Sequence, residues 1–122
     1  AAPIEVPDSR SFAALLRDPG VCEDKFQTGY AEYHGTRFPL AQRIYWEGEW
    51  KFVFNGFDFD ELYNLADDPA EMHNLAQMPE QAERVRQMMK QIWAHLDATG
   101  DQALVNTHYY SMRFAAVGPN ER

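Results

Sequence analysis

Between residues 42 and 55, in the run "QRIYWEGEWKFVFN", apolar and polar side chains alternate around one glycine. Alternation of period two is the mark of a strand with one face toward a core. A hairpin is predicted, with Glu47-Gly48 as its two-residue turn and Gly48 supplying the positive φ. Trp50, Phe52 and Phe54 then share one face, and Lys51, Val53 and Asn55 the other. "FQTGYAEYHG" (26–35) reads as a preceding strand, and "NGFDFD" as a turn into a short last strand, "ELYNL". The aromatic face of such a sheet needs a cover.

The period changes at residue 79. In "PEQAERVRQMMKQIWAHLDATG", Ala82, Val85, Met89, Ile92 and Leu96 recur at helical spacing. Pro79 suits the first turn, Glu80 and Glu83 the positive end of the helix dipole, and Gly100 the stop. The Met-rich stripe reads as core packing. Near the start, "DSRSFAALLRDPG" predicts a short helix capped by Ser9 or Ser11 and ended by Asp18-Pro19-Gly20. The fold class expected is α+β. A small antiparallel sheet of three to four strands packs against one long C-terminal helix, with a short N-terminal helix and an extended tail. Residues 1–25 form a connector, 26–100 the α+β unit and 101–122 the tail.

Composition narrows the function classes. The 122 residues suffice for one domain or a piece of one. The formal net charge of -8 argues against nucleic acid and anionic membrane surfaces as partners. No apolar run reaches the roughly 20 residues that cross a bilayer. The chain starts on Ala1 with no signal-peptide pattern, which is read as a processed or cut end. Cys22 is the one cysteine, so no disulfide forms within the chain.

The acid-rich stretch "ELYNLADDPAEMHNL" (61–75) invites a metal-site reading, which fails. A calcium loop starting at Asp58 would need Gly at position 63, where Tyr63 stands. His34, His73, His95 and His108 share no zinc-ligand spacing. As a turn the stretch is coherent. Leu62, Leu65 and Leu75 anchor it, Asp68 caps a single helical turn, Pro69 begins that turn, and Glu71 closes a capping box.

"WKFVFN…ELYNLADDPAEMHNLA" resembles the C-terminal subdomain of the sulfatase family, in the alkaline phosphatase superfamily. The family pattern is matched by Lys51-Phe52, by Glu61-Leu62-Tyr63-Asn64-Leu65, by Asp68-Pro69-Ala70-Glu71 and by Asn74-Leu75. Asn64 stands where the family usually has Asp. "DSRSFAALL" is similar to the segment that ends the family's catalytic domain, and "YAEYHG" and "QRIYW" to its first two terminal strands, as in arylsulfatases and choline-sulfatase-like members. The likeness spans residues 5–100 and leaves the tail outside.

The resemblance implies sulfate-ester hydrolysis by a parent protein. Its catalytic domain would carry a formylglycine nucleophile and a calcium ion, and it would act on a sulfated small molecule or glycan. Neither site is in this chain. Cys22 is followed by Glu23-Asp24-Lys25-Phe26, without the Pro or Arg of the formylglycine motif. The catalytic residues expected here are therefore none, and the isolated chain is expected to be inactive. Tyr33, His34, Gly35 and Arg37 are the candidates to line the substrate cleft, since a His and an Arg can bond a sulfated substrate. The tail residues His108, Tyr109, Tyr110 and Arg113 are candidates to meet a neighbouring subunit. Two alternatives stand beside this. One is a phosphate or phosphonate ester hydrolase of the same superfamily. The other is a free-standing α+β interaction module, for which Tyr45, Val53 and Phe57 would mark an apolar surface.

Overall fold

The computed structural model describes residues 11–21, 23–36, 42–56, 58–105 and 115–121. Four strands form one antiparallel meander in sequence order: β1 (Thr28–Tyr33), β2 (Gln42–Glu47), β3 (Trp50–Asn55) and β4 (Glu61–Asn64). One long helix follows, α1 (Ala82–Thr99), entered through a 3-10 turn at Pro79–Gln81. The α+β class expected from the sequence is the class observed.

The hairpin is shifted by one residue from the expected turn. Glu47 pairs with Trp50, so the two linking residues are Gly48 and Glu49. Gly48 takes φ +55 while Glu49 keeps a negative φ. Positive φ at the first turn position alone is the type II′ pattern, which matches strand twist. Glycine thus sits where the geometry demands it, and Glu47 is the last strand residue rather than a turn residue.

The register sorts the faces. Tyr30, Tyr45, Phe52 and Leu62 lie in one cross-strand row, and Glu32, Arg43 and Phe54 in the next row of the same face. This face meets α1. Phe52, Phe54 and Leu62 are buried against Val85, Met88, Met89, Ile92, Trp93 and Leu96. Burying a Leu, Ile or Phe side chain contributes roughly 1.5–3 kcal/mol each, and this stripe supplies most of the core. Met88 and Trp93 widen the expected stripe, and Ala82 falls outside it, on the surface. Tyr45 is a correction to the apolar-surface reading: it points into the helix-covered core. Val53 lies on the opposite face with Ile44, Trp46 and Tyr63 but is buried, so it marks no exposed apolar surface either, and Phe57 lies outside the described residues.

The ends differ from expectation in two ways. At the front, residues 12–18 make hydrogen-bonded turns, including Asp18 N–H to Ala14 O at 3.0 Å, followed by short 3-10 helices at Pro19–Val21 and Glu23–Phe26. The expected short helix takes this broken form because so few residues cannot hold a helix alone. Phe12, Leu16 and Val21 remain exposed. At the back, α1 ends in a Schellman motif: Gly100 takes φ +70, its N–H bonds Asp97 O, and Asp101 N–H bonds Leu96 O. Beyond it, Leu104 and Val117 are fully buried in the core, and Trp93 Nε1–H bonds Val117 O at 2.8 Å. The packed unit therefore extends past residue 100. His108, Tyr109, Tyr110 and Arg113 lie outside the described residues.

Candidate functional site

The C-terminal end of β1 carries the polar cluster of most chemical interest. Arg43 occupies an inward position among aromatic residues and is 0 % exposed. A buried guanidinium is tolerated only when paired. Its Nη2 lies 3.2 Å from Asp101 Oδ2 and 3.9 Å from Glu32 Oε2, and its Nη1 donates to Gln42 O. The Schellman turn places Asp101 there, immediately past the negative end of α1, so a cation is favoured twice over. Arg43 Nε and the Tyr30 hydroxyl are buried without hydrogen-bond partners among the described residues. Burial pushes the Tyr30 phenol above its ordinary range; the Arg43 charge opposes this, and the Glu32 charge adds to it. The Tyr30 ring stacks on His95 of α1, with centroids 3.8 Å apart.

Glu32 links this interior to the surface. One carboxylate oxygen, Oε2, faces Arg43 and also lies 2.7 Å from His34 Nε2. His34 stands just past the strand, with its side chain 60 % exposed. The candidates from the sequence thus divide. Tyr33 and His34 are exposed and adjacent, Gly35 follows with φ +74, and Arg37 lies outside the described residues. Glu32, Arg43 and Asp101 were not singled out from the sequence. The partner of Arg43, Asp101, lies 58 residues away along the chain.

The 61–75 motif clamps an edge of the sheet. Leu62 N–H bonds the Asn74 side-chain oxygen at 3.1 Å, and Leu75 N–H bonds Leu62 O at 2.9 Å. Asn74 Nδ2 reaches back to Asp60 O. The loop therefore supplies the hydrogen bonds a fifth strand would have made, which protects the edge. Leu62 is in the core, Leu75 packs against it, and Leu65 N–H bonds Glu49 O.

The helical turn expected at 68–71 is instead a tight turn, with Glu71 N–H on Asp68 O. The capping box does not form. Glu71 takes φ +55 and pairs its carboxylate with Lys51 Nζ at 2.6 Å. Asp68 accepts from Met72 N–H and His73 N–H, farther along than a helix cap reaches, and these bonds hold its carboxyl below the usual range. Pro69 lies within this turn. Tyr63 and Glu61 lie on the face away from α1, joined hydroxyl to carboxylate at 2.9 Å. Asn64 donates to Asp67 and accepts from Ala66 N–H. An Asp at 64 would lose the donor and face the Asp67 carboxylate.

Among the described residues no three His, Cys, Asp or Glu side chains gather in a way that could hold a metal ion. No helix among them is long and apolar enough to cross a membrane. The chemistry the described residues offer at the β1 end is ion pairing and hydrogen bonding.

The fold has counterparts among solved structures. A Bacteroides thetaiotaomicron protein designated a sulfatase superposes with TM-score 0.61 at 18% identity, over 66% of this chain and 18% of that one. A 2-O GAG sulfatase gives 0.60 at 18% identity, with the same coverage. A third structure, solved with its substrate D-glucosamine-2-N,6-O-disulfate, gives 0.54 at 20% identity over 63% of this chain and 17% of that one. The chain spans less than a fifth of the length of the structures it matches. No protein-family profile matches it. No curated protein matches it either. The resemblance to sulfatases drawn from the sequence is thus met at the level of the fold.

Proposed function

We propose that this chain is the C-terminal subdomain of a sulfuric ester hydrolase. It completes the fold of a parent whose catalytic domain carries the formylglycine and calcium, and it presents Tyr33, His34, Gly35 and Arg37 at the lip of the substrate cleft. The observation that supports this best is the shared fold with sulfatases, in which a chain of this size matches less than a fifth of each. The motif residues agree with it: Leu62, Asn74 and Leu75 form the edge clamp that gives the Glu-Leu-Tyr…Asn-Leu pattern a physical purpose. A sulfated small molecule or glycan is the substrate class proposed for the parent. The connector at 1–25 and the unit beginning at 26 belong to the same reading, with the unit carried past residue 100 by Leu104 and Val117.

The test is hydrolysis by the full-length protein, assayed with aryl sulfates and sulfated sugars beside matched phosphate esters. Turnover of sulfate esters, with mass spectrometry detecting formylglycine upstream, supports the proposal. Turnover of phosphate esters alone transfers the chain to the phosphoryl branch of the superfamily. Absence of any catalytic domain in the full-length protein would leave the interaction-module reading.

A further inference from the structure

We infer that Glu32 is a positioning residue for His34. It holds the ring by Nε2–H, so that in the imidazolium form Nδ1–H is the donor offered to an oxyanion such as a sulfate ester. The inference rests on the cleft-lining reading of His34 and deepens it.

The argument starts from the carboxylate. Glu32 Oε2 sits between two groups of opposite environment, the fully buried Arg43 guanidinium and the exposed His34 ring. A carboxylate only accepts, so the 2.7 Å contact requires the hydrogen on His34 Nε2. That bond fixes the tautomer of the neutral ring and leaves Nδ1 as the second position. Protonated, Nδ1 carries a donor suited to an oxyanion. Position is set from behind. Arg43 is clamped by Asp101 and by Gln42 O, so the Glu32 carboxylate, 3.9 Å from its Nη2, faces a fixed charge that biases where the ring is held. The arrangement is a carboxylate–histidine pair at the surface, at and just past the end of a strand, with a buried guanidinium behind the carboxylate.

An exposed pair loses much of its attraction to side-chain freedom and screening. Here the acceptor also faces a buried cation, 3.9 Å away, which limits that loss.

The experiment uses the full-length protein labelled with ¹³C and ¹⁵N at histidine, with His34 assigned by the signal lost in H34A. Ring ¹⁵N shifts are expected to show hydrogen on Nε2 in the neutral form. The Cδ2–Hδ2 bond is expected to be as ordered as the β1 backbone. E32A should release the ring to the mobility of a free side chain, and E32Q, whose Oε1 can still accept, should restore most of its order. Kinetics with a sulfate ester should show KM raised about tenfold in E32A, about the value of one charge-assisted hydrogen bond. The loss should fall on KM rather than kcat, and E32A/H34A should be no worse than H34A alone. A mobile wild-type ring, or one unchanged in E32A, overturns the positioning role. An ordered ring released by E32A with no kinetic effect keeps the positioning and overturns the cleft-lining reading instead.

Discussion

Replacing Asp60 with Asn should alter the pH dependence of stability in a direction opposite to that of most carboxylates. Asp60 follows the β3–β4 turn and is half-buried, with Oδ1 accepting Asn55 N–H at 3.0 Å. Burial raises its pKa from 3.8 to about 6, with the Asn55 N–H opposing and the Glu61 charge adding to the rise. The folded state therefore binds this proton more tightly than the unfolded state does. Stability changes with pH as the protons bound unfolded minus those bound folded, a negative quantity between about pH 4 and 6. The contribution is fully present below pH 4 and is lost as the pH rises through 6. A gap of about two pH units, at about 1.4 kcal/mol each, gives a loss of about 3 kcal/mol. Asn keeps an oxygen for Asn55 N–H and has no charge to bury, so D60N should escape that loss. Urea unfolding of both proteins at pH 4, 5, 6 and 7 measures it, because the difference between them cancels the titrating groups that do not interact with Asp60. The stability of D60N relative to wild type should climb by about 2–3 kcal/mol from pH 4 to pH 7. A flat difference, or one that moves toward wild type, would refute the burial argument.

Other substitutions probe the remaining joints. D101N removes the charge that pairs with buried Arg43 and should cost about 1–3 kcal/mol in chemical denaturation; a neutral result would mean another group satisfies the guanidinium. D68A should lower the urea midpoint at pH 7. Because the folded carboxyl titrates below the usual range, that deficit should shrink as the pH falls through the folded pKa, and a deficit that persists in acid would point to another cause. G48A should lose about 1 kcal/mol through backbone strain alone, since an added Cβ would meet nothing within 4 Å, and thermal melts against wild type would read it.

Features written in local periodicity were legible in the sequence. The strand alternation of 50–55 and the helical recurrence of Val85, Met89, Ile92 and Leu96 correspond to β3 and to the buried side of α1. What escaped depends on distant partners. The inward Arg43 looks misplaced until Asp101 arrives from beyond the helix, and Glu71 looks like a capping acid until Lys51 claims it. The hairpin turn was off by one because both neighbours of Gly48 are glutamates, so composition does not choose between them. Leu104 and Val117 were assigned to the tail because their burial rests on contacts with α1 and the sheet that no nearby residue announces. The candidate site was half visible: His34 could be singled out as an exposed polar end, but the buried Arg43 facing its neighbour Glu32 needed the register of β1 against β2.

The bond from the Trp93 indole to Val117 O has a consequence for how the molecule is made. A ribosome delivers the sheet and then the helix, yet the indole's acceptor and the valine that seals it come more than twenty positions later. Until those residues emerge, the nascent chain holds a helix whose largest side chain has an open seat. The final closure of this core is therefore reserved for a late moment in synthesis.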